Sequence, residues 1–328
     1  MEVSAIIPYE TITLPTPFAV GSVNVYLIKA EPITLIDAGP RTQEAEELLL
    51  DAFKRLDLSL NDLKTIIVTH SHPDHAGLAP RLRELSGAQI YMHEAERKKL
   101  EAGFNAFNDR RVKLLREAGV PEQVMEEFSA VMADNMKYVP PFDNVAGIRD
   151  GHVFRFDEFS LMALHVPGHA AGQICLYEPR DGILFSGDHL LGTITPNPMI
   201  EPSENEKTGR RKSLIEYLEN LRALREFQIS LVLPGHGVPI HDHVEAIDRL
   251  LEHHVQRTEL LYSLVSHEQQ TAYSLAMKLF PGLSGFDVFL GVSEVLAHLD
   301  ILVREGRVAS VRREQEGSTV TYYYRSER

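Results

Sequence analysis

The chain has 328 residues, against about 100–200 for a typical domain, so two domains are the first expectation. Apolar residues at 44% and charged residues at 24% are ordinary for a globular protein and exclude a disordered or fibrous chain. Lys and Arg number 33 against 47 Asp and Glu, a net charge of −14 that excludes a general affinity for nucleic acid or acidic lipid, and the single cysteine, Cys175, excludes an intrachain disulfide.

The N-terminal stretch MEVSAIIPYETITL has no basic start followed by an apolar core, so no export signal is expected and a cytoplasmic protein is the default. No apolar run approaches the ~20 residues of a membrane helix, so no membrane partner is expected. Val23–Ile28 and Ile33–Asp37 read as short apolar strands, the second broken by Ala38-Gly39-Pro40. Residues 42–56 read as a helix with acids in the first turn and Lys54-Arg55 in the last, as the helix dipole favours. A buried strand at Lys64–Val68, a helix at His75–Leu85 and a strand at Gln89–His93 follow. Residues 94–138 lose the strand signal and read as two or more helices, a helical insertion over one edge of the core with bounds of about 94–145. Strands return from residue 152 as HVFRF, FSLMALHV, GQICLYE and GILFSGD; a helix at Ser213–Phe227 and a strand at Ile229–Leu233 complete the alternation. Beyond about residue 245 come a helical stretch at 246–266, a helix at 270–280 and a helix at about 286–304 with Phe289, Val292, Leu296, Leu299 and Val303 on one face. Two strands, Arg307–Arg313 and Thr319–Arg325, close the chain in the pattern of a winged helix.

Fifteen histidines are unusual, and five of them fall at informative places. Residues 69–77 read Thr-His-Ser-His-Pro-Asp-His-Ala-Gly, directly after a strand, and bring His70, His72, Asp74 and His75 into six positions. Imidazole nitrogen and carboxylate oxygen are the ligands a divalent transition metal prefers when thiolate is absent. Four of them exceed what one catalytic metal needs if it is to keep a position open for water, which points to two metals. Three later segments repeat an apolar strand, a small-residue turn and one ligand: His169 after Gly168, Asp188 after Gly187 and His236 after Gly235. The seven residues divide into two sites of three terminal ligands, with one carboxylate left to bridge. Two cations roughly 3.5–4 Å apart can share a water and lower its pKa from about 15.7 toward 7, giving a hydroxide held by Asp74 or Asp188 that attacks a carbonyl carbon or a phosphorus. No GxSxG elbow, P-loop or GxGxxG offers another chemistry.

HxHxDH with downstream PGH, SGD and PGHG resembles the metallo-β-lactamase superfamily over residues 15–245, outside the helical insertion. The resemblance implies an α+β fold, an αββα sandwich of two β-sheets flanked by helices, with a binuclear site at one edge. It implies one metal on His70, His72 and His169, a second on Asp74, His75 and His236, and Asp188 bridging. Asp37 matches the family's early Asp, which orients a ligand histidine from behind. His72 stands where the oxygen-reducing di-iron branch has Glu, and Asp188 argues against antibiotic hydrolysis. The implied cofactors are two divalent ions, Zn2+ by default with Fe or Mn as alternatives. The expectation is thus a catalytic domain at 1–245 and a winged-helix-like domain at 246–328. Together they form a hydrolase of a small ester-type bond, a thioester or a lactone, with a small molecule as its partner. Two alternatives stand beside it: an endonuclease of single-stranded RNA using the same site, and a metal-free binding scaffold.

Several residues have plainer readings. His165 and His189 read as packing or hydrogen-bonded groups, with substrate contact open to His189, and Cys175 as a small buried apolar residue. His241, His243, His253 and His254 read as solvated loop and hydrogen bonds at the domain junction rather than a third metal site. Arg307, Arg312, Arg313 and Arg325 beside Tyr322, Tyr323 and Tyr324 have the composition to hold a single strand of RNA. The simpler reading is a surface hairpin that walls the active site or forms a homodimer contact.

Overall fold

The structure, a computed structural model, describes residues 7–102, 104–138, 144–203, 209–315 and 318–326. Strands β1 (Tyr9–Leu14), β2 (Val23–Ile28), β3 (Thr34–Ile36), β4 (Thr65–Ile67), β5 (Gln89–His93) and β6 (Val145–Ile148) form one sheet in that order, antiparallel from β1 to β3 and parallel from β3 to β6. Strands β7 (Val153–Arg155), β8 (Ser160–His165), β9 (Ile174–Glu178), β10 (Ile183–Gly187) and β11 (Leu231–Pro234) form a second sheet in the order β11-β10-β9-β8-β7. There β9 runs antiparallel to both β8 and β10, and β11 runs parallel to β10, so β8, β10 and β11 all end at the same edge.

Strand alternation sorts the apolar residues between layers. Ile67, Tyr26, Ile28, Ile174, Leu176, Ile183 and Phe185 meet between the sheets. Their chain neighbours Ile66, Val25 and Leu27 face helix α1 (Gln43–Arg55), while Cys175, Tyr177 and Leu184 face α7 (Ser213–Leu224). Cys175 is fully buried, as its reading required. This is the αββα sandwich, an α+β fold with mixed sheets. It is followed by α8 (His243–Leu264), β12 (Gln270–Thr271), α9 (Ala272–Leu279), α10 (Phe286–Arg304), β13 (Val308–Gln315) and β14 (Ser318–Arg325), whose strands form a small sheet in the order β12-β14-β13.

The segment between β5 and β6 forms α4 (Glu94–Ala102), α5 (Phe104–Glu117) and α6 (Glu122–Asn135). Leu115 and Phe128 from these helices share an apolar cluster with Phe289, Val292 and Leu299 of α10, and the rings of Phe128 and Phe289 stack at 4.9 Å. The helices therefore lie against the C-terminal region as well as the sheet edge.

Some elements differ from the sequence reading. The helix expected at His75–Leu85 is two pieces, α2 (Pro73–Ala76) and α3 (Ala79–Ser86), because Pro80 has no N–H and its ring would strike the carbonyl of Ala76. Gln270 and Thr271, expected in a helix, pair with Tyr323 and Tyr322 of β14, and the Thr271 hydroxyl then caps α9 by accepting from Ser274 N–H. Strands β1 and β6 were not anticipated. In β6 the interruption is Gly147, where a Cβ would lie 3.0 Å from Glu94 Cγ and Arg97 Nε, so glycine marks a close helix rather than a turn.

Candidate metal centre

Each candidate ligand leaves the end of a strand. His70 and His72 follow β4, Asp74 and His75 lie in α2, His169 follows β8, Asp188 follows β10 and His236 follows β11. Because β8, β10 and β11 are co-directional, their turns converge on the edge where β4 also ends, and all seven side chains meet there. His70 Nε2 and His169 Nε2 lie 2.8 and 3.0 Å from His72 Nδ1. His236 Nε2 lies 3.4 Å from Asp74 Oδ2. Asp188 stands between the two groups: Oδ1 is 3.3 Å from His75 Nε2, and Oδ2 is 3.7 Å from His169 Nε2 and 3.5 Å from His236 Nε2.

The outer nitrogens fix the tautomers. His169 Nδ1–H donates to the Asn197 carbonyl at 3.0 Å, His236 Nδ1–H to the Ser22 carbonyl at 2.7 Å, and His75 Nδ1–H to Asp37 Oδ2 at 2.7 Å. Thr69 Oγ1 donates its one hydrogen to Asp37 at 2.9 Å, so it accepts from His70 Nδ1–H at 3.1 Å. His70 and His169 thus aim bare Nε2 lone pairs inward, while His75 and His236 turn Nε2 toward carboxylates, where a proton or a metal can sit. His75 Nε2, His236 Nε2 and Asp188 Oδ1 are buried without a hydrogen-bond partner. Around His72 Nδ1 three nitrogens share at most one proton. Converging lone pairs of this kind repel one another unless a cation sits among them, so the donor set fits divalent metal.

Asp37 ties the arrangement from behind. Its carboxylate also accepts from Thr69 N–H at 2.7 Å, and its backbone takes φ 59°, a left-handed conformation that Asp tolerates better than most residues. Electrostatics separate the two halves. Burial, then the surrounding imidazoles, hold His70 and His72 well below the ordinary histidine value, so both rings are neutral. For His75 burial is outweighed by Asp188, Asp37 and Asp74, which raise it, while Asp188 is held at about 2 against burial by His75, His236 and His169. A proton and a divalent cation compete for the same lone pair in that carboxylate-rich half.

Gly235 is required by approach rather than by turning. A Cβ there would lie 2.5 Å from Asp188 Oδ1 and 2.8 Å from His75 Cε1. Gly235→Ala is expected to displace both ligands and lower activity on the order of 10²-fold. Elemental analysis should then show less metal per chain than wild type; an unchanged content would refute the packing argument.

The sequence reading missed a buried ion network beneath the ligand loops. Glu96, fully buried on α4, accepts from Ser71 N–H at 3.1 Å, from the Ser71 hydroxyl, and from Gly172 N–H at 2.8 Å. It thereby ties the His70–His72 loop to the His169 loop. Lys99 Nζ lies 2.8 Å from Glu96 and pairs also with Glu201, and Arg111 Nη2 stands 3.9 Å from Glu201. Burial would raise Glu96, but Lys99 and the three donors hold it at about 2. Nothing in the sequence distinguishes Glu96 from its helix-surface neighbours Glu94 and Lys98. A second link is Asn197: besides accepting from His169, its side-chain amide donates to the Leu290 carbonyl of α10 at 3.2 Å.

The two histidines beside the candidate ligands, His165 and His189, pack rather than join them. His165 Nε2 donates to the Ala171 carbonyl at 2.9 Å and stacks on His93 at 3.8 Å. His189 is fully buried against Tyr217, and burial lowers it to about 3.

Residues 19–236 match the metallo-beta-lactamase superfamily, and the chain belongs to that family of metal-dependent hydrolases. It is 32% identical over 318 residues to the "Probable metallo-hydrolase YqjP" of Bacillus subtilis (strain 168), covering 95% of this chain and 96% of that one. The crystal structure of the metallo-beta-lactamase family protein TTHA1429 from Thermus thermophilus superposes with a TM-score of 0.82 and 29% identity, over 97% of this chain and 99% of that one. The human "Acyl-coenzyme A thioesterase MBLAC2" is 25% identical over 262 residues, 78% of this chain and 86% of the relative. Among the described residues no helix is long and apolar enough to cross a membrane.

Proposed function

We propose that the protein is a binuclear hydrolase of small thioesters, with lactones as the nearest alternative substrate, acting in the cytoplasm on Zn2+. Fe and Mn suit the same nitrogen and oxygen ligands. The observation that carries the reading is Asp188, one oxygen on His75 and the other facing both His169 and His236. That position suits a carboxylate shared between one ion on His70, His72 and His169 and another on Asp74, His75 and His236. When bound, such a pair supplies an activated water and polarises the substrate carbonyl. Asp37 holds the His75 tautomer, the Asn197 and Ser22 carbonyls hold His169 and His236, and Glu96 keeps the two ligand loops in register. Asp74 and Asp188 are the carboxylates placed to take the proton of the attacking water. Water adds to the acyl carbon, the C–S bond breaks, and the thiolate leaves with that proton. The choice of thioester is supported by the relative named as an acyl-coenzyme A thioesterase.

The C-terminal helices and hairpin are read as winged-helix-like, but as a wall rather than an RNA grip. Arg307 is paired with Glu259 and Glu305, Arg312 with Glu117, and Arg325 donates to the Val265 and Tyr262 carbonyls. Tyr323 is buried while Tyr322 and Tyr324 are only half-buried. Three of the four arginines a single strand would need are therefore engaged, and Arg313 alone of them is exposed without such a contact among the described residues.

A panel of acyl-coenzyme A and acyl-glutathione thioesters, lactones and labelled single-stranded RNA tests the reading on zinc-loaded protein. Thiol release from at least one thioester, lost on chelation and restored by Zn2+, is expected. RNA cleavage with inert thioesters and lactones would overturn it.

A further inference from the structure

A second cluster of metal-type donors lies away from the sheet edge, where α8 and α10 pack side by side. His253 and His254 are adjacent on α8; Glu294 and His298 are one turn apart on α10. His254 is 1% exposed, His298 0% and Glu294 8%, while His253 is only half-buried and opens the cluster to solvent. Donor atoms of His253, His254 and Glu294 all lie within 4.8 Å of one another.

The hydrogen bonds set the lone pairs. The Thr258 hydroxyl donates to the His254 carbonyl at 2.7 Å, so its oxygen accepts from His298 Nδ1–H at 2.8 Å. That leaves His298 Nε2 facing Glu294 Oε1 at 3.2 Å and His254 Nδ1 at 3.4 Å. His254 Nε2 is buried with no hydrogen-bond partner. Burial, then His298, lowers His254 to about 3, so its ring is neutral. For Glu294, His298 outweighs burial and the carboxylate stays ionised. Arg257 Nε, 4.0 Å from the same Oε1, is too far to hydrogen-bond it. A buried carboxylate and imidazole nitrogens spaced at 3.2–3.4 Å reproduce the edge of a tetrahedron, about 3.3 Å, around an ion bound at roughly 2.0–2.1 Å.

We propose that His253, His254, Glu294 and His298 form a third metal site, taking one divalent transition ion of the zinc class and tying α8 to α10. Its role is structural, since none of these residues is among the seven gathered at the sheet edge. It is nonetheless close: the Tyr217 ring lies 5.8 Å from His254 and 5.3 Å from His189, the residue after Asp188. The inference does not depend on the thioester reading.

The test is metal stoichiometry by elemental analysis on stripped full-length protein reloaded with Zn2+ and desalted. Three equivalents per chain are expected. The double variant His254→Gln, Glu294→Gln is expected to hold two, to keep its hydrolase activity, and to lose part of the rise in Tm that Zn2+ gives wild type. A triple variant of the sheet-edge ligands, His72→Ala, Asp188→Ala, His236→Ala, is expected to retain one equivalent, which keeps the test decisive if the first variant does not fold. A double variant that holds as much Zn2+ as wild type, or a triple variant that binds none, would overturn the proposal.

Discussion

Asp188→Asn is expected to lower hydrolysis by on the order of 10³-fold, about 4 kcal/mol of transition-state stabilisation at 1.36 kcal/mol per decade. The substitution keeps the side chain's volume, so the sandwich is not disturbed. It replaces one carboxylate oxygen by an amide whose hydrogens point at a bare imidazole nitrogen or at the other ligand group. Asp188 Oδ1 faces His75 Nε2 at 3.3 Å and Oδ2 faces two histidines, so either amide orientation removes a donor atom from one group. Steady-state kinetics beside elemental analysis should show activity and metal content falling together, with a far-ultraviolet circular dichroism spectrum like that of wild type. Undiminished turnover would remove Asp188 from the chemistry.

Glu96→Ala is expected to cost about 3–5 kcal/mol of stability, the usual consequence of breaking a buried, hydrogen-bonded ion pair. The loss has two parts. Ser71 N–H, the Ser71 hydroxyl and Gly172 N–H lose their acceptor, and Lys99 is left with Glu201 as its one close carboxylate. Because Ser71 lies between His70 and His72, and Gly172 lies three residues past His169, kcat should fall on the order of 10- to 100-fold under conditions where the variant is fully folded. Glu96→Gln, which keeps acceptor capacity, should recover part of both losses. Denaturant unfolding and kinetics on the two variants check this. Equal stability of Glu96→Ala and wild type would mean that water takes over the acceptor role.

The candidate ligand set was legible because its signal is local: four metal-type side chains in six residues, and three more each a step past an apolar strand. Asp37 was marked by the family resemblance rather than by a local signal, and its carboxylate does meet His75. Most strands were legible from their alternation with turn residues, whereas the sandwich they build was implied by the family resemblance of the motif set. Glu96, Lys99, Glu201 and Arg111 could not be read, because their partners lie up to about a hundred positions away and each looks like an ordinary helix or loop charge. His254, Glu294 and His298 were hidden likewise: two helices had to be set side by side before their donors met. Strand β6 was obscured by Gly147, whose reason is a neighbouring helix. The break between α2 and α3, by contrast, was written in Pro80.

The double duty of Asn197 has a temporal consequence. Its carbonyl fixes the His169 tautomer while its amide is pinned to Leu290 of α10, a helix that also supplies the apolar partners of Phe128 on α6. A chain emerging from the ribosome completes both sheets of the sandwich and all seven candidate ligands some fifty residues before α10 begins. During that interval Asn197, the acceptor for His169, lacks its tie to α10 and the α6 ring surface lacks its cover, so the candidate metal centre takes its final geometry only once α10 has formed.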